Sequence, residues 1–260
     1  MPEGLDKLAG GIGKAIETVP DLYDDALKPA TQESGKTLAL IPRAINAALL
    51  PLRQWIAERE YKLAETEKLL AQKLEHVNED KIVTPEAYVA VPAIQAISYS
   101  MDSEELRNLY ANLLAKAMNS DTKDQVHPAY VNIISQMTPL DAKVLQFVLN
   151  KPDNDFPIVR LIAKNEISHI IIQPNITPIT FADIEAVSIS IENLSRNNLI
   201  YITDDITAEG YDCIYNNKHY AEYIELQKNK LPSKYPLLDT EEGNCALSPL
   251  GKSFCNICIS

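Results

Sequence analysis

The sequence predicts a mainly α-helical chain: an N-terminal multi-helix domain with a long kinked helix, followed by a small α+β domain of winged-helix-like order. Three observations predict it. Apolar residues recur at steps of three and four through most of the first 150 positions, the spacing of one helical face. Helix-opening signatures stand at Thr84-Pro85-Glu86, Ser103-Glu104-Glu105 and Thr138-Pro139-Leu140-Asp141. After Lys151-Pro152-Asp153-Asn154 the chain turns toward β-branched residues. The expected divisions are an amphipathic arm over 1–34, a helical domain over 35–150 and an α+β domain over 151–260, with an insertion at about 204–244.

In the arm, Leu5, Leu8, Ile12, Ala15, Val19, Leu22 and Ala26 share one helical face. Gly10, Gly11 and Gly13 weaken it by roughly 1 kcal/mol each relative to Ala, and Pro20 breaks it into two short helices. From Gly35 to about Val77 the helical signal is strongest. Leu38, Ile41, Ile45, Leu49, Leu52, Trp55 and Ile56 form its stripe, and Pro42 and Pro51 predict kinks. From Glu58 to Lys81 the composition becomes Glu, Lys, Gln and Leu, with Glu58/Lys62 and Glu65/Lys68 spaced to pair along an exposed face.

Residues 83–150 read as further helices, with Leu106, Leu109, Leu113 and Ala117 on one face and Tyr130, Ile133, Ile134 and Met137 on another. Ile158–Ile162 and Ile167–Ile172 read as strands, 184–197 as a helix, and Leu199–Thr203 as a strand. The polar stretch 204–244 reads as a long hairpin or insertion, and the chain closes on an apolar helix after Ser248-Pro249.

The charge narrows the partners. The 260 residues carry a net charge of −12 with a pI near 4.8, and neither half is basic. Phosphate binding draws on clustered Lys and Arg, so nucleic acid is an unfavoured partner. Apolar content of 46% with 23% charged residues is ordinary for a globular chain. Four cysteines are too few for a disulfide scaffold, and the N-terminus lacks a basic, then apolar, leader pattern. Reducing cytoplasm is therefore the expected compartment, with membrane association on activation as a variant of that reading.

Candidate chemistry is sparse. Cys255-Asn256-Ile257-Cys258 is a CxxC that Cys213 and Cys245 could extend to a four-thiolate metal site, but those two stand about thirty residues apart. Leu250, Phe254, Cys255, Ile257 and Cys258 also form one buried helical stripe, the expected role. The four histidines show no metal-ligand spacing, and Gly10-Gly11-Ile12-Gly13 lacks the Lys and Ser/Thr of a phosphate loop. No catalytic set, metal or cofactor is expected, and the enzyme reading leans to no. In the winged-helix segment, Asn193, Arg196 and Asn197 are the candidate DNA contacts, with Glu185 and Glu192 beside them. The Leu38–Ile56 stripe is the candidate partner or membrane face; a homo-oligomer or a protein partner is expected.

Several stretches, taken in order, resemble one known family. They run from Tyr23-Asp24-Asp25-Ala26-Leu27-Lys28-Pro29-Ala30 and Gly35-Lys36 to Ile45-Asn46-Ala47-Ala48-Leu49-Leu50-Pro51-Leu52. Val91-Pro92-Ala93-Ile94, the run Leu106 to Ala115, His127-Pro128-Ala129-Tyr130-Val131 and Leu140 to Leu145 continue the series. Together they resemble the bacterial abortive-infection alpha (Abi-alpha) family over about residues 20–150, more weakly beyond. The resemblance implies a part in phage defence, in which infection triggers arrest or loss of the host cell. It supplies no catalytic residues to carry over.

Overall fold

The computed structural model describes residues 60–100, 102–204 and 210–259. The Leu38–Ile56 stripe and the 1–34 arm lie outside the described residues. The described residues divide into two compact units, one drawn from 60–99 and 113–128, the other from 100–112 and 129–259.

In the first unit, helix α1 (Glu60–Leu74) is followed by a 3-10 turn (Glu79–Lys81) and helix α2 (Ala87–Tyr99). Leu70, Leu74, Val89, Ala93, Ile94 and Ile97 are buried. Leu113, Leu114 and Met118, in the last turn of helix α3 (Glu104–Ala117) and just after it, are buried as well. The Val83 N–H donates to the Met118 carbonyl at 2.8 Å, and Ser120 N–H to the Lys81 carbonyl at 2.9 Å, so the residues after each helix pair as a short bridge.

The second unit is α+β. Helix α4 (Ala129–Ser135) leads to α5 (Pro139–Leu149), which opens on a reciprocal cap: Asp141 N–H donates to the Thr138 hydroxyl while Thr138 N–H donates to the Asp141 carboxylate. Strands β1 (Asp155–Lys164) and β2 (His169–Ile176) form a hairpin. Then come α6 (Ile184–Arg196), β3 (Ile200–Thr203), the short α7 (Asp212–Tyr215), α8 (Lys218–Lys228), β4 (Leu237–Leu247) and α9 (Pro249–Cys258). The sheet is antiparallel, in the order β2-β1-β4-β3. Asn198, with φ of 56°, takes the left-handed conformation that ends α6, and Leu199 N–H reaches back to the Leu194 carbonyl at 3.0 Å.

One sheet face, carrying Val159, Leu161 and Ile176, is covered by the two insertion helices through Ile214 and Tyr220. Tyrosine hydroxyls fasten this layer. Tyr211 donates to the Gly243 carbonyl at 2.8 Å, Tyr215 to the Glu242 carboxylate at 2.9 Å, and Tyr223 to the Gln173 side-chain carbonyl at 3.0 Å. Burial pushes the Tyr220 and Tyr223 phenols up to about 12, so both hold their protons at neutral pH.

The described residues are mixed α+β, largely helical with one four-stranded antiparallel sheet, two of whose strands are ten residues or longer. The 204–244 stretch, expected as a long hairpin or an insertion, holds among its described residues α7, α8 and most of β4. β2 also begins at His169 and continues past Ile172 to Ile176, register shifts against β1 carrying it through Pro174.

Helix α9 packs tightly against the backbone that joins α6 to β3. A Cβ on Gly251 would lie 1.9 Å from the Leu199 backbone carbonyl oxygen, and backbone cannot swing aside. Gly251→Ala is therefore expected to cost at least ~1–3 kcal/mol by overpacking, read as a lower urea midpoint than the unmodified chain.

Candidate functional site

Helix α6 is fixed by one face and open on another. Val187, Ser188, Ser190, Ile191 and Leu194 are buried, whereas Glu185, Ile189, Glu192 and Arg196 are exposed. Ile189 breaks the pattern: it stands on the polar face and is 67% exposed. Beside it, between α6 and the start of α5, runs an open groove of about 570 Å³. Leu140, Ala186 and Ile189 give it an apolar floor, with Gln136, Glu192 and Arg196 among its polar lining.

A chain of hydrogen bonds holds the groove's two walls together. The Asn193 amide donates to the Gln136 carbonyl and to the buried Asp141 carboxylate, each at 2.9 Å. The same carboxylate oxygen takes the Thr138 N–H at 2.6 Å. On the other side of Asn193, the Arg196 guanidinium donates to its Oδ1 at 2.6 Å. Asp141 thus caps one helix and anchors another. The Ser190 hydroxyl, in the groove wall, is buried with no hydrogen-bond partner.

The candidate DNA contacts fall on this structure. Asn193 is committed to Gln136 and Asp141, Arg196 to Asn193, and the Asn197 amide to the Asn193 carbonyl at 3.0 Å. Those groups close the helix end and the groove wall, and reading a base would require exchanging these bonds. The sequence brings the three residues forward; it does not show Asp141, fifty-two positions from Asn193, as their anchor. The signal that could have found the groove is Ile189, an isoleucine among Glu185, Glu192 and Arg196 on the face opposite the buried stripe.

The thiols lie elsewhere. Cys245, Cys255 and Cys258 are buried and Cys213 is exposed. Burial pushes Cys245 and Cys255 up to about 12 and Cys258 well above its ordinary value. Protonated thiols of this kind are not ready nucleophiles. Among the described residues, no three His, Cys, Asp or Glu side chains gather as a metal site. No described helix is long and apolar enough to cross a membrane.

Fold and groove together define a mixed α+β protein with an open, largely apolar cleft beside a capped helix pair. The family model for abortive infection alpha matches residues 58–258, and the chain belongs to that family. The match takes in the α+β unit, where the sequence resemblance is weaker. No curated protein and no solved structure matches the chain.

Two outcomes test this geometry. Asp141→Ala removes the cap and strands the Asn193 amide, with an expected loss of roughly 1–3 kcal/mol in denaturant titration. Brief alkylation of the native protein is expected to label Cys213 alone, and all four cysteines once it is unfolded; mass spectrometry counts the adducts.

Proposed function

We propose that this member of the abortive-infection family works by contact rather than by turnover, receiving a partner protein in the groove between α5 and α6. The observation that carries the reading is Ile189, an apolar side chain held 67% exposed on a rigidly anchored helix. Burying it would release roughly 1.5–3 kcal/mol. The groove's exposed rim carries both signs, Glu192 and Arg196, and Glu185 stands about two turns before Glu192 on the same face. The fitting partner is a protein segment that offers an apolar side chain to Leu140, Ala186 and Ile189 and a Lys or Arg to Glu192.

The α+β end supports a winged-helix-like reading. Helix α5, the β1–β2 hairpin, helix α6 and strands β3 and β4 follow one another, with α6 the helix that this reading takes as the recognition helix and α7 and α8 inserted before the last strand. In this reading the helix that such domains lay on DNA is turned to a protein. A DNA-binding regulator is the alternative; it requires salt-dependent binding that Arg196→Glu abolishes. Assembly into a homo-oligomer, cytoplasmic residence and use of the Leu38–Ile56 stripe on a membrane after triggering belong to the same proposal.

Ile189→Asp is expected to abolish protection from phage in cells while leaving the melting temperature within a few degrees of the parent, because the side chain contributes little to the core. Full protection by Ile189→Asp would contradict the groove reading. Robust nuclease, NADase or nucleotidyl activity of the purified chain, lost with protection in a single variant, would contradict contact as the mode of action.

A further inference from the structure

A second exposed apolar feature lies at the far end of the sheet, away from the groove. Ile167, in the loop joining β1 and β2, is 94% exposed, and Leu237, the first residue of β4, is 58% exposed. The loop is rigidly built. The Asn165 side-chain carbonyl takes the N–H groups of Ile167 at 2.9 Å and Ser168 at 2.8 Å, and Asn165 N–H closes on the Ser168 carbonyl at 3.0 Å. An Asx-type turn of this kind holds the isoleucine outward without help from the core.

The segment leading into β4 is tied to that loop. The Asn165 amide donates to the Lys234 carbonyl at 3.0 Å, and Leu237 stands directly opposite Lys164 in the strand register. Lys164 is taken up by the Asp239 carboxylate. Lys230 and Lys234 are exposed, and neither has an acidic partner among the described residues. Lys234 lies over the Tyr235 ring, 5.2 Å from its centroid. Across 165–168 and 229–236 the only acid is Glu166, against these two lysines. In a chain of net charge −12, this corner is locally basic and tipped with apolar side chains.

We propose that the β1–β2 loop and the segment before β4 form a contact site for an anionic lipid surface, with Ile167 and Leu237 entering the interface and Lys230 and Lys234 meeting the headgroups. Three features favour lipid over an acidic protein. A lone isoleucine at a loop apex needs no matching pocket in a bilayer interface, tyrosine and lysine are the flanking residues such interfaces accept, and a flat anionic surface can be met by the two lysines and the two apolar tips at once. The site is separate from the Leu38–Ile56 stripe in sequence, and separate from the groove, so it stands whether or not either of those readings does.

The test uses the full chain in co-sedimentation with vesicles of phosphatidylglycerol and phosphatidylcholine in equal parts, against phosphatidylcholine alone. Binding to the mixed vesicles, and much less to the neutral ones, is expected. Ile167→Asp with Leu237→Asp is expected to weaken it by about tenfold or more. Lys230→Glu with Lys234→Glu is expected to weaken it comparably and to flatten its salt dependence. Both pairs are exposed, and circular dichroism confirms that each variant is folded; should one pair unfold the chain, the other carries the test. Ile189→Asp leaves vesicle binding unchanged. No binding to mixed vesicles, binding lost only in Ile45→Asp with Leu49→Asp, or competition by soluble polyglutamate as effective as by lipid would overturn the proposal.

Discussion

The antiparallel pairing of β1 with β4 is the constraint on which the α+β unit depends. Its register runs unbroken from Asp155 opposite Ala246 to Lys164 opposite Leu237. β2 and β3 attach to the outer edges of this pair, and α9 leaves directly from its end through a Ser248 cap. A slip of one residue would turn Val159 and Leu161 away from Ile214 and Tyr220, and Arg160 away from Glu241, which it meets at 2.8 Å. The tyrosine hydroxyls repeat the specification from above, since Tyr211 and Tyr215 choose Gly243 and Glu242 on β4. The pairing therefore sets both where the insertion helices lie and where the chain's last helix begins.

From that frame, α6 acquires two different faces. Its inner face is buried through Val187, Ile191 and Leu194, and its end is pinned to the start of α5 by the Asn193–Asp141 bond. Pinning engages the Asn193 amide and one donor of the Arg196 guanidinium. It also holds Ile189 and Glu192 at fixed positions on the open side, so a partner would meet a prepared surface and pay little ordering cost. The buried thiols of Cys245, Cys255 and Cys258 pack within the core.

Much of this was legible from residue patterns, and what was not has physical reasons. Thr138-Pro139-Leu140-Asp141 announces a helix start because cap and proline are local, and α5 begins there. Ile184 to Asn197 announces α6 because its buried face repeats at helical spacing. β4 was hidden because Leu237-Leu238-Asp239-Thr240-Glu241-Glu242-Gly243 is polar and half-exposed; its identity as a strand comes from β1, some eighty residues earlier. β2 was read short because Pro174 argues against a strand, and register shifts let the edge strand accept it. The groove was half legible. Asn193 and Arg196 stood out by type, but their bonds to Asp141 and Gln136 are long-range and leave no local trace.

The claim at the centre is that this protein acts through surface contact. A saturating substitution scan of phage protection, filtered for variants that keep wild-type abundance and melting temperature, tests it most directly. The account predicts that the functional losses cluster on exposed apolar and rim positions, with Ile189 and Glu192 at their centre. Losses that instead converge on a set of facing titratable side chains, insensitive to Ile189 and Glu192, would mean that the molecule works by chemistry and would contradict it.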